Sequence, residues 1–254
     1  AIAALLQRLQ LATLVRECER FFVTTETRAR IAAPLCRLVG AVAPQVMRIG
    51  ANALPVKRRL RSPQASATAP KIGFFSTAAV GKKYDVVLDA FARIAGEIPG
   101  AELILMGDLG PPDQPNVRAI HQEVARHPAK GQIRLTGRLS LAEVANETAA
   151  LDLYLFAMET GANTRSSTLP SALGSGIPTV AVRGRETDLS LFHDGANVVF
   201  ADDMTGPAFA AAALRLLKNP SALARVGEGG RRLYAEHLSW ERIGDRLLAD
   251  SWPS

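Results

Sequence analysis

The chain has 254 residues, 48% of them hydrophobic, and a formal net charge of +6. This length allows one large domain or two small ones with a sizeable core. No apolar run approaches the roughly 20 residues of a membrane-spanning helix. Aromatic residues, at 6%, are few and not interleaved with arginines, which argues against single-strand nucleic-acid binding. The basic balance favours anionic partners: a nucleotide, a lipid head group or nucleic acid.

The first 50 residues contain short helices and strands. The spacing of Leu, Ala and Val predicts a helix over 5–20, and a second helix is expected over 27–38. Apolar runs predict strands at 21–25 and 46–49. Two strands and two helices bury too little apolar surface for an independent core. We therefore interpret residues 1–50 as the tail of a domain whose earlier part is missing or lies on another chain.

Residues 51–70 have the composition of a linker. The basic cluster Lys57–Arg61 precedes a stretch rich in Pro, Ser and Ala that shows no periodicity. The cluster could contact phosphates or an anionic membrane. The favoured interpretation is a linker whose charges are solvated.

From Lys71 onwards, apolar strands alternate with helices. Strands are predicted at 71–75, 102–106, 132–136, 153–156, 178–182 and 197–200, and helices at 84–98, 116–126, 141–150, 169–175, 204–218 and 221–237. Apolar strands without polar alternation, separated by helices, are typical of a parallel sheet covered on both faces. This pattern predicts an α/β, doubly wound, Rossmann-like domain. Ligands bind such sheets at the carboxyl ends of the strands, so candidate site residues should directly follow each strand.

The stretch from Glu159 to Val182 follows a buried strand and enters a helix. Ser166, Ser167 or Thr168 could cap this helix, and Pro170 falls in its first turn. Free backbone N–H groups at the helix start, next to Arg165, would suit an anion such as a diphosphate. A capped surface helix with an incidental arginine explains the same residues, and the stretch alone does not decide between the two.

Three further loops follow predicted strands. The first contains Ser76, Thr77 and Lys82, but its glycine spacing does not fit a phosphate-binding P-loop. The second begins at Gly107-Asp108 and lacks the glycine pattern of nicotinamide enzymes. In the third, Gly137-Arg138-Leu139, the arginine could stack on a base or remain solvated. Ser140 is a good cap for the helix after it. Taken alone, Lys82 is better explained as an ordinary surface lysine.

In this order, the motifs resemble the C-terminal nucleotide-binding domain of GT-B glycosyltransferases of the retaining, family-four (group 1) type. They are the loop with Lys82, LILMGDLG, LTGRLS, the helix-entry stretch, GIPTVAV and HDGANVVF. The resemblance implies a nucleotide-sugar-binding domain at 71–236, an incomplete acceptor domain at 1–50, and a last helix within 237–254 that crosses back to it. Docking of that helix would bury Trp240 and Trp252.

The resemblance also implies roles for individual residues. Lys82 matches the lysine that contacts the donor diphosphate, and Arg138-Leu139 match the loop that meets the nucleobase. Asn163 and Ser171 stand where the family usually has two glutamates, the second of which holds the ribose. The family's arginine in the first loop is replaced near Thr77. A divergent subgroup has an arginine at the helix entry, which matches Arg165, so we expect Arg165 to supply the missing cation.

These residues suit sugar transfer from a nucleotide diphosphate such as a UDP-sugar or GDP-sugar. Fixed cations and backbone N–H groups stabilise a diphosphate leaving group without needing a metal. No acidic cluster has metal-ligand spacing, so neither a metal nor another cofactor is expected. The four histidines, His121, His127, His193 and His237, are expected to be surface or core residues.

Three functions stay open. The first is a glycosyltransferase, or its donor-binding half, acting in carbohydrate biosynthesis and inactive as a fragment alone. The second is a non-catalytic scaffold or partner subunit with the same fold, favoured by the loss of both glutamates. The third is a sugar-nucleotide epimerase. The acceptor would be a carbohydrate, a lipid or a small molecule. Composition favours a cytoplasmic location with Cys18 and Cys36 reduced, and the basic linker allows peripheral contact with the inner membrane face.

Overall fold

The computed structural model describes residues 2–58, 69–75, 77–78 and 81–251. The N-terminal segment, residues 2–49, consists of helix α1 (Ile2–Glu17), strand β1 (Phe21–Val23), helix α2 (Glu26–Leu38) and strand β2 (Pro44–Val46). The two strands pair in parallel. Few of its side chains are fully buried, and several leucines of the two helices are exposed. The segment therefore has little core of its own, as its composition predicts.

The rest of the chain is built on a six-stranded parallel sheet. Its strands are β3 (Lys71–Phe75), β4 (Glu102–Met106), β5 (Ile133–Leu135), β6 (Leu153–Phe156), β7 (Thr179–Val182) and β8 (Val199–Ala201). Their order across the sheet is β5-β4-β3-β6-β7-β8, and all neighbouring pairs are parallel. This is the order of the dinucleotide-binding fold, in which the direction of winding reverses between β3 and β6.

Helices follow the strands, and most of them cover the two faces of the sheet. They are α3 (Tyr84–Glu97), α4 (Pro115–Arg126), α5 (Leu141–Ala149), α6 (Thr168–Gly174), α7 (Gly206–Leu217), α8 (Pro220–Leu233) and α9 (Trp240–Ser251). A short 3-10 turn (Lys130–Gln132) precedes β5, and a π-helical turn (Tyr234–Leu238) follows α8.

Alternate strand residues enter two separate cores. Leu153 and Leu155 of β6 pack with α3 and α7, whereas Tyr154 and Phe156 of the same strand pack with α6 and the end of α8. Because side chains alternate along a strand, a strand buried on both faces must be apolar at every position. The predicted doubly wound architecture is confirmed.

Most predicted boundaries lie within one or two residues of the observed ones. Three elements differ more. The helix predicted over 5–20 is observed at Ile2–Glu17, and the strand predicted over 46–49 is observed at Pro44–Val46. The helix predicted over 221–237 ends at Leu233 and continues as the π-helical turn. Ser140 caps α5 as expected, in a reciprocal arrangement with Glu143. Among the described residues, no helix has the length and apolarity needed to cross a lipid bilayer.

The first part of the predicted linker packs partly against the domain. Ala51 and Ala53 are buried, and the Arg58 amide donates to the Ser175 carbonyl at 3.1 Å. The Arg58 guanidinium lies 3.1 Å from the carboxylate of Asp152, with side-chain exposures of 13% and 1%. The interpretation of Arg58 as a solvated linker charge is therefore wrong. Its guanidinium pairs with the buried carboxylate of Asp152, which directly precedes β6, and a buried carboxylate requires a cation. Residues 59–68 lie outside the described part of the chain.

The last helix meets the chain where the N-terminal segment ends. The indole N–H of Trp240 donates to the carbonyl of Ala51 at 2.8 Å, and its ring lies against Gly50. Trp240 is nevertheless 46% exposed. The contact with residues 50 and 51 therefore covers this side chain only in part, and its burial by docking against a complete first domain stays a prediction. Trp252 lies outside the described residues.

Candidate functional site

The reversal point of the sheet lies between the loops that follow β3 and β6. An antiparallel bridge joins Lys82 to Met158. In it the Lys83 amide donates to the Ala157 carbonyl at 3.1 Å, and the Glu159 amide donates to the Gly81 carbonyl at 2.9 Å. Lys82 is therefore fixed at the position where doubly wound sheets bind ligands. Thr77 of the same loop is exposed, and the candidate Ser76 lies outside the described residues.

Lys82 occupies an unusual environment for a lysine. Its ammonium lies 5.7 Å from the centre of the Phe156 ring. Burial lowers the pKa of Lys82 to about 8, because an ammonium loses water there. The contact with an aromatic face offsets part of that cost. At neutral pH the group remains mainly charged, so the loop presents a poorly solvated cation at the reversal point.

A second pair of loops lies on the β4 side. The loops after β4 and β5 form an antiparallel bridge between Gly107 and Gly137. Both glycines have positive φ, at 110° and 66°, which allows the two backbones to meet. Asp108 is exposed and its carboxylate accepts from the Gly110 amide at 2.9 Å. These contacts bring the predicted LILMGDLG and LTGRLS loops together at one edge of the sheet.

The two residues expected at the nucleobase differ in exposure. Arg138 is exposed. Leu139 is partly buried and packs against a small cluster formed by Ala53, Val144 and Ala145. The backbone of this loop is thus anchored, while the arginine side chain remains in solvent.

Asn163 organises the loop that follows β6. It is fully buried, and its amide group donates to Thr160 Oγ1 at 2.9 Å and to the Gly161 carbonyl at 2.7 Å. Its side-chain oxygen accepts from the Arg165 amide at 3.0 Å. These three bonds use both donors and one acceptor position of the amide. In this conformation Asn163 holds the loop in shape and presents no donor to a ligand.

Arg165 is exposed at this loop but already has a partner. Its Nη1 lies 3.3 Å from both carboxylate oxygens of Glu186, in the loop after β7. Arg28 of α2 approaches the same carboxylate, with Nε 3.6 Å from Oε2. The side chain of Glu186 is only 8% exposed. Arg165 is therefore a half-exposed cation tethered to a buried acid.

Two glycines lock the β6 and β7 loops together. A Cβ on Gly161 would overlap Thr187 Oγ1 and the backbone nitrogen of Gly184, and a Cβ on Gly184 would overlap the Thr160–Gly161 backbone. The Glu186 amide also donates to the Thr160 carbonyl at 3.0 Å. The loop carrying Arg165 and the loop carrying Glu186 thus form one rigid unit.

The hydroxyl residues at the helix entry have mixed roles. Ser167 is the N-cap of α6 but makes no side-chain capping bond, whereas Ser166 Oγ accepts from the Thr168 amide at 3.4 Å. Ser171 is buried and donates to the carbonyl of Ala53. Pro170 lies in the first turn, as predicted.

A small cavity of about 130 Å³ opens beside these hydroxyl residues. Its walls include Phe75, Leu141 and Tyr154, together with Ser167, Thr168 and Ser171. Burial raises the pKa of the Tyr154 hydroxyl to about 12, so this group stays protonated. The cavity walls are mainly apolar and include several hydroxyl groups, which suits a flat ring that also forms a few hydrogen bonds.

Among the described residues, no group of three or more His, Cys, Asp or Glu side chains could hold a metal ion. The absence of a metal requirement stays a prediction. His127 is a core residue, with its ring stacked on Phe91 and its Nε2 2.9 Å from the Leu88 carbonyl.

Sequence reasoning missed Glu186, Arg28 and the paired glycines. The rule that site residues follow strands, applied to β7, leads directly to the charged run Arg183–Asp188. The contact with Arg28 had no such signal, because it depends on how the N-terminal segment docks.

The fold and these loops define a doubly wound α/β domain with cations and hydroxyl groups at the carboxyl edge of the sheet. The family model described as glycosyl transferases group 1 matches residues 69–219, more than half of the chain. The chain therefore belongs to the group 1 glycosyl transferases, with the GT-B type of architecture. No curated protein sequence matches it.

Solved structures of glycosyltransferases share the fold at low sequence identity. Sucrose-phosphate synthase from Thermosynechococcus elongatus has a TM-score of 0.76 at 17% identity, over 96% of this chain and 60% of its own. Anabaena Alr3699/HepE in complex with UDP and glucose has a TM-score of 0.73 at 16% identity, over 96% of this chain and 66% of its own. The pneumococcal O-GlcNAc transferase GtfA in complex with UDP and GlcNAc has a TM-score of 0.72 at 18% identity, over 94% of this chain and 46% of its own. The chain thus spans two thirds or less of each of these proteins.

Proposed function

We propose that this chain is the donor-binding half of a retaining glycosyltransferase that transfers a sugar from a nucleotide-diphosphate donor to an acceptor. The observation that carries the proposal is Lys82, a poorly solvated cation fixed at the reversal point of the sheet. Among the described residues no carboxylate forms an ion pair with Lys82, and a poorly solvated lysine without such a partner is costly unless an anion completes its environment. A donor diphosphate would supply that anion.

Arg165 is proposed as the second cation. It follows β6, the strand next to β3, and its guanidinium retains free donors after the contact with one Glu186 carboxylate. Two cations from facing loops would stabilise the charge that develops on the leaving diphosphate. Gly107, Asp108, Arg138, Leu139, Ser166, Ser167 and Thr168 are proposed to line the remainder of the donor site.

The donor is proposed to be a UDP-sugar, since HepE and GtfA were both crystallised with UDP. The 130 Å³ cavity beside Ser167 and Thr168 supports this choice, because its size suits a single ring better than a fused purine. Titration with uridine, guanosine and adenosine diphosphates tests the base preference. We expect saturable binding of the uridine compound, strongest of the three.

The test of the site uses Lys82→Ala and Arg165→Ala. Each should weaken the affinity for uridine diphosphate about ten- to a hundredfold, the value of one charge-assisted contact. Lys57→Ala is the matched control, because Lys57 is an exposed cation away from the sheet edge and its charge is screened. Saturable binding to none of the nucleotides, or equal losses in all three variants, would overturn the proposed donor site.

A non-catalytic scaffold of the same fold is the second candidate. It is favoured by Asn163 and Ser171, whose side chains bond to the protein's own backbone at the positions of the two family glutamates. The two candidates differ in turnover. Nucleotide binding without transfer or hydrolysis of the sugar, with an acceptor-binding domain present, would support the scaffold.

We further propose that the N-terminal segment belongs to the acceptor-binding domain. Its helices α1 and α2 expose large apolar side chains, including Leu14 at 64%, Ile31 at 73% and Leu38 at 83%. Exposed apolar surface of this kind marks an interaction face. Assays of the chain alone and of a longer gene product should show transfer only in the latter, and equal activity would contradict the assignment.

A further inference from the structure

Glu186 is a buried acid in the loop after β7. Among the residues that the structure describes, it is the acid of that loop that contacts two arginines, and these come from different parts of the chain. Arg165 reaches it from the β6 loop at 3.3 Å, and Arg28 reaches it from α2 at 3.6 Å. The carboxylate is 8% exposed, whereas the arginine side chains are 39% and 45% exposed. One carboxylate is therefore paired with two arginines, and both arginines are accessible to solvent and to a ligand.

The geometry leaves both arginines incompletely paired. Arg165 approaches both carboxylate oxygens through a single nitrogen, Nη1, and so lacks the parallel two-nitrogen geometry of strong arginine–carboxylate pairs. Arg28 is at salt-bridge distance only. The cluster of two cations and one anion has an excess positive charge, which a diphosphate can neutralise.

The backbones around the cluster cannot move independently. Thr27, next to Arg28, donates its hydroxyl hydrogen bond to the Arg185 carbonyl at 3.3 Å. Thr164, next to Arg165, donates to the carbonyl of Thr24 at 2.8 Å. The N-terminal segment and the β6 and β7 loops thus meet on both sides of Glu186, and a change in side-chain pairing there is felt by all three.

We propose that Glu186 is a shared tether that couples donor binding to the docking of the N-terminal segment; this rests on the proposed role of Arg165 at the diphosphate. In the free protein Glu186 divides its charge between Arg165 and Arg28. When the diphosphate takes Arg165, Glu186 pairs more fully with Arg28, so α2 is held more firmly. By thermodynamic linkage the effect is reciprocal. Arg28 strengthens donor binding because it pairs with Glu186 and so weakens the ion pair between Glu186 and Arg165.

The test is a double-mutant cycle on the affinity for uridine diphosphate, measured by calorimetry in the full chain. Arg28→Ala should weaken binding about two- to fivefold, the value of a half-exposed ion pair. In the Glu186→Gln background the same change should have no effect, because the shared charge is gone. Arg37→Ala, an exposed arginine of the same helix, is the matched control and should leave the affinity unchanged.

A second measurement separates a tether from a general effect of charge. Hydrogen exchange of residues 21–30 should slow on addition of uridine diphosphate in the parent protein. It should not respond in Arg165→Ala at saturating nucleotide. Glu186→Asp, which keeps the charge, should restore part of the coupling if Glu186→Gln lowers the melting temperature too far to be used.

The outcomes distinguish the two proposals. Uridine diphosphate binding with equal effects of Arg28→Ala in both backgrounds would overturn the shared tether and leave the donor site intact. The same holds if Arg28→Ala and Arg37→Ala weaken binding equally. Failure of the parent protein to bind nucleotide, or an unchanged affinity in Arg165→Ala, would overturn the role of Arg165 and the tether with it.

Discussion

The ammonium of Lys82 lies 5.7 Å from the centre of the Phe156 ring. Lys82 is in the loop after β3, and Phe156 is the last residue of β6, the neighbouring strand. An aromatic face attracts a cation but does not replace water, and the pKa of Lys82 falls to about 8 through burial. The charged lysine therefore opposes folding at neutral pH. A residue retained at such a cost at the reversal point of the sheet is expected to act on a ligand.

The first prediction concerns Lys82→Met, which keeps the length of the side chain and removes its charge. The free energy of unfolding at pH 7 should stay the same or rise by up to about 2 kcal/mol, while nucleotide affinity falls. Denaturant unfolding and calorimetry give the two values. A large loss of stability would mean that Lys82 is a structural cation.

The stability gain should depend on pH in a definite direction. The pKa of Lys82 is about 8 in the folded protein, against an ordinary lysine value of 10.5 in the unfolded chain, so the penalty of the poorly solvated charge is complete below pH 8. It is relieved as the pH rises from 8 towards 10.5. The difference in stability between Lys82→Met and the parent should shrink over that interval.

The second prediction is a pH dependence of nucleotide binding. A diphosphate favours the protonated lysine, so binding above pH 8 must take up a proton. Affinity should fall by up to about tenfold per pH unit above 8, and Lys82→Met should lose this dependence. Calorimetry in buffers of different ionisation enthalpy measures the proton uptake directly. A parent profile identical to that of Lys82→Met from pH 7 to 9.5 would contradict the assignment.

The third prediction compares two neighbouring cations at the end of the packed linker segment. Arg58→Ala leaves the buried carboxylate of Asp152 without its cation and should cost about 3–5 kcal/mol of stability. Lys57→Ala removes an exposed charge and should change stability by less than about 0.5 kcal/mol. Thermal unfolding of both variants is the measurement. Similar melting temperatures would show that the Arg58–Asp152 pair contributes little.

The fourth prediction concerns the contact between the β6 and β7 loops. Gly161→Ala places a methyl group on Thr187 and Gly184 at a positive φ of 81°. It should cost about 2 kcal/mol or more and weaken nucleotide binding by displacing Arg165. Gly244→Ala is the control, since nothing lies within 4 Å of the added atom, and it should stabilise α9 by about 0.5–1 kcal/mol. Unchanged nucleotide affinity in Gly161→Ala would mean that the loop contact does not position Arg165.

The sheet could be predicted because each strand is apolar throughout and each helix begins at a recognisable cap or proline. The bounds of β3, β4 and β6 are those expected. The positions of the loops along the chain were predictable, but the contacts of their side chains were not. Asn163 was expected at the donor because its chain position matched a family glutamate, but its side chain bonds to its own loop. Nothing local distinguishes a loop-shaping amide from a ligand-binding one.

The pairing of Arg58 with Asp152 and of Arg165 with Glu186 shows a second limit. These pairs join residues far apart in the chain, and sequence patterns of short range contain no information about such partners. The basic run Lys57–Arg61 suggested solvation because charged residues are usually exposed. The buried partner that overrides this tendency could be found only from the fold.

The contact between Trp240 and residues 50–51 gives the junction an optical label of its own. The indole N–H donates to the Ala51 carbonyl, the ring lies against Gly50, and the residue is 46% exposed. Indole emission shifts with solvation, so any rotation at this junction changes the fluorescence of Trp240. Trp252, the other tryptophan of the chain, can be replaced by phenylalanine to leave a single emitter. Movement at this junction could then be followed in real time without an attached dye.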